Sequence, residues 1–210
     1  KTSYEVIVTA TDNDGTNSTP QTITVTIKDV NDNAPVFTNN TSFPLSENET
    51  FVTELVTTDA DTNPTVTYSI TGGADASSFA VTEAGVLTIN GTDYESGKTD
   101  YEVIVTANDG VNAADATFRL TIEDVNDNAP VFTSDSTFTI DENTTAVTTL
   151  VTTDADTNPT VTYSITGGAD ASSFALTNDG VLTISGTDYE SGKTSYEVIV
   201  TATDNDGTNS

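Results

Sequence analysis

Apolar and polar residues alternate along most of this chain. In the run Thr22 to Lys28, Ile23, Val25 and Ile27 fall on one face, and Thr22, Thr24, Thr26 and Lys28 fall on the other. Val66, Tyr68 and Ile70 are spaced in the same way, as are Phe118, Leu120 and Ile122. Period two predicts half-buried β-strands, because successive side chains of a strand point to opposite faces. The enrichment in Thr, Val and Ile suits a pleated surface, and Gly, Asn, Asp or Pro bounds each run. No segment carries an apolar stripe at helical spacing, so the expected class is all-β, and short strands punctuated by turn residues point to antiparallel sandwiches.

The pattern also repeats. Residues 55–80 recur without change at 150–175, and residues 1–18 are identical to residues 193–210. A shorter variant of the latter segment begins at Lys98, so the chain reads as a window on a periodic array whose units are about 97 and 95 residues long. This division gives residues 1–28 as the last two strands of a truncated repeat, 29–33 as a linker and 34–123 as a complete repeat. A second linker follows at 124–128, and 129–210 form a repeat that lacks its last strand. The segment from Thr19, written after Ser210, would complete that last repeat without a seam. Two expectations follow: either the polypeptide continues in both directions, or the head strand of one molecule completes the tail of another and builds a filament. Open sheet edges favour such pairing.

Charge narrows the function. With 33 acidic and 5 basic residues among 210, the formal net charge is −28. Nucleic acid and anionic membrane are therefore poor partners. A chain so charged is either a disordered acidic tail or a fold whose charge is met by cations, and the strand patterning favours the second. No run approaches the length of a membrane span, so direct membrane insertion within this window is not expected, and no basic leader precedes the first strand. His and Cys are absent, which removes the commonest general base, nucleophile and transition-metal ligands. A carboxylate pair is still able to hydrolyse glycosides, but here the acidic residues repeat with the unit, whereas an active site would be unique. No enzymatic activity is expected.

Asp-Val-Asn-Asp-Asn-Ala-Pro-Val-Phe stands at 29–37 and again at 124–132. Around it lie Glu47, Asp59 and Asp61 in "DAD", Asp93 and Glu95 in "DYE", and Asp109; the last repeat places Glu142, Asp154, Asp156, Asp188, Glu190 and Asp204 alike. These elements, in this order, resemble the cadherin superfamily, and the near-identical units resemble its microbial-type arrays more than animal ones. The resemblance covers the whole chain. It implies tandem seven-stranded Greek-key β-sandwiches in an elongated array, with Ca²⁺ ions held at each junction. The second junction would draw on Glu47, Asp93 and Glu95 upstream, on Asp124, Asn126, Asp127 and Asn128 in the linker, and on Asp154, Asp156 and Asp204 downstream. The first has Asp29, Asn31, Asp32 and Asn33 with Asp59, Asp61 and Asp109, lacks the upstream Glu and Asp-x-Glu, and should bind fewer ions. Calcium suits such sets, since it takes several hard oxygen ligands in flexible geometry.

Departures and alternatives bear on the same residues. "DADTNPT" is more compact than the family pattern, so Asn63 or Asn158 would stand only approximately for the Asn that usually follows. Tyr94 replaces the usual Arg of Asp-Arg-Glu, which should leave the flanking ligands intact. Without Trp or a His-Ala-Val tripeptide, strand-swap adhesion of the classical vertebrate type is unsupported. An EF-hand loop is excluded by Ala34 and Asn40 at positions that need Gly and Glu. Asp14 and Asp179 read as turn residues, and Asp12, Asp109 and Asp204 as ligands. "TGGADASSF" reads as a tight turn rather than a phosphate cradle. Asn17, Asn39, Asn40, Asn48, Asn90 and Asn143 begin glycosylation sequons. Two functions remain: a calcium-stiffened extracellular stalk or filament joined to neighbouring repeats of the same or an identical chain, and a recognition module for other cell-surface proteins, its own kind or polysaccharide.

Overall fold

The computed structural model describes residues 1–62, 64–157 and 159–205. They divide into two compact units, one of Lys1–Phe43, Thr50–Asn90 and Tyr101–Leu120, the other of Pro44–Glu49, Gly91–Asp100 and Thr121–Ser210. Among the described residues no helix is long and apolar enough to cross a membrane.

The chain opens with a hairpin of β1 (Ser3–Val8) and β2 (Gln21–Thr26), registered with Tyr4 opposite Val25 and Val6 opposite Ile23. At its tip the Asp12 carboxylate accepts the backbone N–H groups of Asp14 and Thr16, and Gly15 takes φ 82°. The half-buried face expected of this segment is not formed. Ile23, Val25 and Ile27 are 41%, 50% and 53% exposed, because among the described residues no second sheet covers the hairpin.

The next nine strands are β3 (Val36–Phe37), β4 (Ser42–Ser46), β5 (Phe51–Glu54), β6 (Thr57–Thr58), β7 (Thr67–Gly72), β8 (Phe79–Val81), β9 (Val86–Ile89), β10 (Asp100–Asn108) and β11 (Ala113–Glu123). One sheet runs in the order β4-β11-β10-β7, and β5-β9-β8 with the β3-β6 pair make the other layer. Counting β3 with β4 and β5 with β6 as interrupted single strands gives the seven of a Greek-key sandwich. The alternation in β10 and β11 holds: Tyr101, Val103, Val105, Ala107, Phe118, Leu120 and Ile122 are buried and the residues between them are not. Phe118 is fully buried, edge-on to Phe37 at 5.8 Å and stacked on Phe43 at 6.4 Å. Pro44 is tolerated because β4 is an edge strand. Gly73 takes φ 106°, and a Cβ there would lie 2.5 Å from Val103 Cα, so the glycine-rich "TGGADASSF" makes a close crossing that leads into a 3-10 turn at Ala76–Ser78.

The second unit adds β12 (Val131–Phe132), β13 (Ala146–Thr149), β14 (Thr152–Thr153), β15 (Thr162–Gly167), β16 (Phe174–Leu176), β17 (Val181–Ile184) and β18 (Ile199–Thr203). They pair as β12-β14, β13-β17-β16 and β15-β18, repeating the sheet partners of β3 to β10. Residues 137–141, which match β4, and 195–198, which match the start of β10, form no strand. In the preceding repeat both segments flank β11, and among the described residues nothing takes that place here.

Candidate metal centres

The ends of the sandwiches carry the acidic residues because strands stop there and the backbone turns, leaving N–H groups for carboxylates to accept. At the second junction Glu47, only 3% exposed, accepts from Tyr94 N–H through Oε2 at 2.7 Å and from Val125 N–H through Oε1 at 2.9 Å. Asp124 accepts Thr157 N–H through Oδ2 at 2.7 Å, and Asp154 accepts Asp156 N–H through Oδ1 at 3.1 Å. Asp156 takes both the backbone N–H and the amide of Asn128 at 2.9 Å.

These anchors gather three sets of carboxylates, each with one oxygen per residue within 4.8 Å of the others: Glu47, Asp93 and Glu95; Glu95, Asp124 and Asp156; and Asp154, Asp156 and Asp204. Glu95 and Asp156 each serve two sets. Buried oxygens without a hydrogen-bond partner occur on three of these residues, Glu95 Oε1, Asp124 Oδ1 and Asp154 Oδ2, and on the linker residue Asn126, at Oδ1. In Asp124 and Asp154 the second oxygen is the one held by backbone, so the arrangement spends one oxygen on position and leaves the other bare. Such crowding has an electrostatic cost: burial first, then neighbouring Asp124 and Glu47, push the Glu95 carboxyl up to about 7.

Among the described residues the first junction has one set, Asp59, Asp61 and Asp109, with Asp59 Oδ2 bare in the same way and Oδ1 accepting Asp61 N–H at 2.9 Å. Asn33 donates to both oxygens of Asp61, at 2.8 and 2.7 Å. The Asn31 amide faces Asp61 Oδ2 and Asp109 Oδ2, both at 3.0 Å: turned one way its nitrogen donates to both, and turned the other its oxygen completes an all-oxygen corner that only a cation makes favourable. Backbone N–H groups, that of Asn112 foremost, hold Asp109 below the usual carboxylate range, and Thr62 N–H does the same for Asp29 at 2.6 Å. Asp29 lines the recess shared by Asn31, Asp61 and Asp109 without joining their cluster.

A fifth set, Glu142, Asp188 and Glu190, lies wholly exposed at the far end of the last repeat. Asp32 and Asp127 stand outside every cluster; they accept from the amides of Asn33 and Asn128 at 2.9 Å. Asp12 holds its turn and belongs to none. Asn63 and Asn158 lie outside the described residues. Sequence reasoning missed two residues. Asn48, in the left-handed region at φ 63°, donates to Asp127 at 2.6 Å, and Asn205 Oδ1 accepts from Asn126 Nδ2 at 3.2 Å and Thr160 N–H at 3.0 Å. The Glu-Asn pairs at 47–48 and 142–143 were the available signal, since Asn is the residue that best tolerates left-handed backbone.

A family model described as cadherin domain matches residues 136–210. Human cadherin EGF LAG seven-pass G-type receptor 1 is 32% identical over 203 residues, which is 90% of this chain and 7% of the receptor. The chain belongs to the cadherin superfamily. Its fold superposes on human CDH23 EC21-23 with TM-score 0.65 at 29% identity, covering 98% of this chain and 69% of that one. Protocadherin gammaB7 EC3-6, described as a cis-dimer structure, gives TM-score 0.69 at 26% identity over 95% of this chain and 55% of its own. This chain spans a small part of its curated relatives, 7% in the case of mouse receptor 1 and 9% for protocadherin-15.

The donor sets fit calcium. All are oxygens, without nitrogen or sulfur, and buried bare carboxylate oxygens are costly unless a cation meets them. In the second junction Glu47, Asp93, Glu95, Asp124, Asn126, Asp154, Asp156 and Asp204 would be the residues to hold it; in the first, Asn31, Asp59, Asp61 and Asp109 would be.

Proposed function

We propose that this chain is a calcium-dependent extracellular structural repeat protein with an adhesive role, in which Ca²⁺ at each linker fixes one repeat to the next and turns a string of sandwiches into a stalk or filament. The observation that carries the reading is the cluster of Glu95, Asp124 and Asp156. It draws one carboxylate from the complete repeat, one from the linker and one from the repeat that follows, and holds their oxygens within 4.8 Å. Without a cation these charges repel; with one, the linker backbone that anchors Asp124 becomes part of a shared coordination sphere. Near-identity of the repeats supports a spacer, which needs copies, over a recognition surface, which needs difference. Millimolar calcium outside cells suits modules of this kind, and a chain free of Cys gains from metal what others gain from disulfides.

Calorimetric titration of calcium into metal-stripped protein tests it, with magnesium as control. Calcium should bind with released heat and raise the melting temperature, and Asp124→Asn should remove the sites that involve the second linker while sparing those of the first. Absence of binding, or equal response to magnesium, would count against calcium at these clusters.

A further inference from the structure

Glu47 is followed by a residue that the carboxylate sets do not include and whose backbone is unusual. Asn48 takes φ 63°, and its N–H donates to Thr92 Oγ1 at 3.1 Å, next to Asp93 of the first set. Asn143 repeats this turn, with φ 59° and a bond from its N–H to Thr187 Oγ1 at 3.0 Å. The turn therefore recurs with the repeat, and Asn suits it because its short polar side chain tolerates left-handed backbone.

The side chain of Asn48 reaches further than the turn requires. Its amide donates to Asp127 Oδ2 at 2.6 Å, and Asp127 Oδ1 accepts the Asn128 amide at 2.9 Å. A carboxylate only accepts, so the nitrogen of each amide is the atom that faces Asp127. Asn128 continues to Asp156, giving its backbone N–H to Oδ2 and its amide to Oδ1, both at 2.9 Å. Asn48, Asp127, Asn128 and Asp156 thus make one polar relay. It runs from the base of the complete repeat, through the linker, to a buried carboxylate of the following repeat that serves two of the sets.

We infer that Asn48 is a positioning residue for the second junction: its amide straps Asp127, and through Asn128 also Asp156, in place before a cation arrives. An amide is the right donor among so many carboxylates. Lys or Arg at this position would bring a charge that repels an incoming cation, whereas Asn holds Asp127 and adds none. A loose linker has to be ordered at the moment of binding, and one already strapped costs less to order, so affinity rises. The gain in calcium affinity rests on the reading above, whereas the strap does not.

NMR of the whole chain tests both parts, by backbone amide exchange in chelator and by calcium titration of the same signals. Asn48→Gly removes the amide and keeps the turn, since Gly adopts positive φ without cost, and Asn143→Gly makes the same change in the matching turn of the last repeat. In Asn48→Gly the Asn128 N–H should exchange roughly three- to tenfold faster, the worth of one hydrogen bond, while the melting temperature in chelator stays close to wild type. Calcium should bind the second junction roughly tenfold more weakly. Asn143→Gly should change neither reading at Asn128. Unchanged exchange in Asn48→Gly, equal acceleration in Asn143→Gly, or a fall in melting temperature large enough to explain the faster exchange would overturn the strap. Faster exchange with undiminished calcium affinity would overturn the positioning role. Faster exchange in a chain whose wild type binds no calcium would uphold the strap and overturn the calcium reading instead.

Discussion

Glu95 shows how far a single side chain can be pushed by its surroundings. Its carboxyl is raised from 4.5 to about 7 by burial and by Asp124 and Glu47, so in the metal-free protein it prefers its proton across the range where the unfolded chain ionises. Folding then takes up a proton between these values, and its contribution to stability, fully present below about pH 4.5, is lost as pH rises through about 7. Melting temperatures in chelator should fall over that window, and calcium, which replaces the proton, should reverse the fall; a flat profile in chelator would contradict the crowding of Glu95. Asp127 sits apart from the clusters but receives Asn48 at 2.6 Å and Asn128 at 2.9 Å. Asp127→Ala should weaken calcium binding by roughly 10–100-fold, the usual effect of removing a residue that orients ligands. Its melting temperature in chelator should stay close to wild type, since the residue is exposed and remote from any core. A large loss of stability in chelator would count against a role confined to the junction.

Strands were legible from alternation, but their burial was not. Phe118, Leu120 and Ile122 read as an inward face and are one, while Ile23, Val25 and Ile27 read the same and lie open. Period two reports which residues share a face and nothing about whether a partner sheet covers it. Likewise "TFTID" at 137–141 has the pattern of β4 yet forms no strand without a neighbour to complete its ladder. The two copies of one strand type make a direct comparison. Phe118→Ala should destabilise the chain by about 3–5 kcal/mol, as expected for a fully buried aromatic residue. Ile23→Ala, measured on dilute single chains, should cost no more than about 0.5 kcal/mol because its side chain is already in water. Denaturant unfolding of the two variants checks both, and a similar cost for each would mean that β2 is covered in solution.

At the scale of the whole molecule, the repeat period and the order of acidic elements already pointed to the family. The sequence could not place Asn48 or Asn205, whose contacts cross 79 residues to Asp127 and to Asn126. Nor could it show that Asp124 and Asp154 give one oxygen to the backbone and leave the other bare. With a net charge of −28, the chain should be extended and flexible when metal is removed, and cations at the linkers should decide how its repeats are held. Small-angle scattering of the chain, extrapolated to infinite dilution, measures this directly in calcium, in magnesium and in chelator at equal ionic strength. A rigid, extended particle in calcium that becomes flexible in both other media is the expected result. An identical particle in all three would mean that Glu95, Asp124 and Asp156 do not lock the junction.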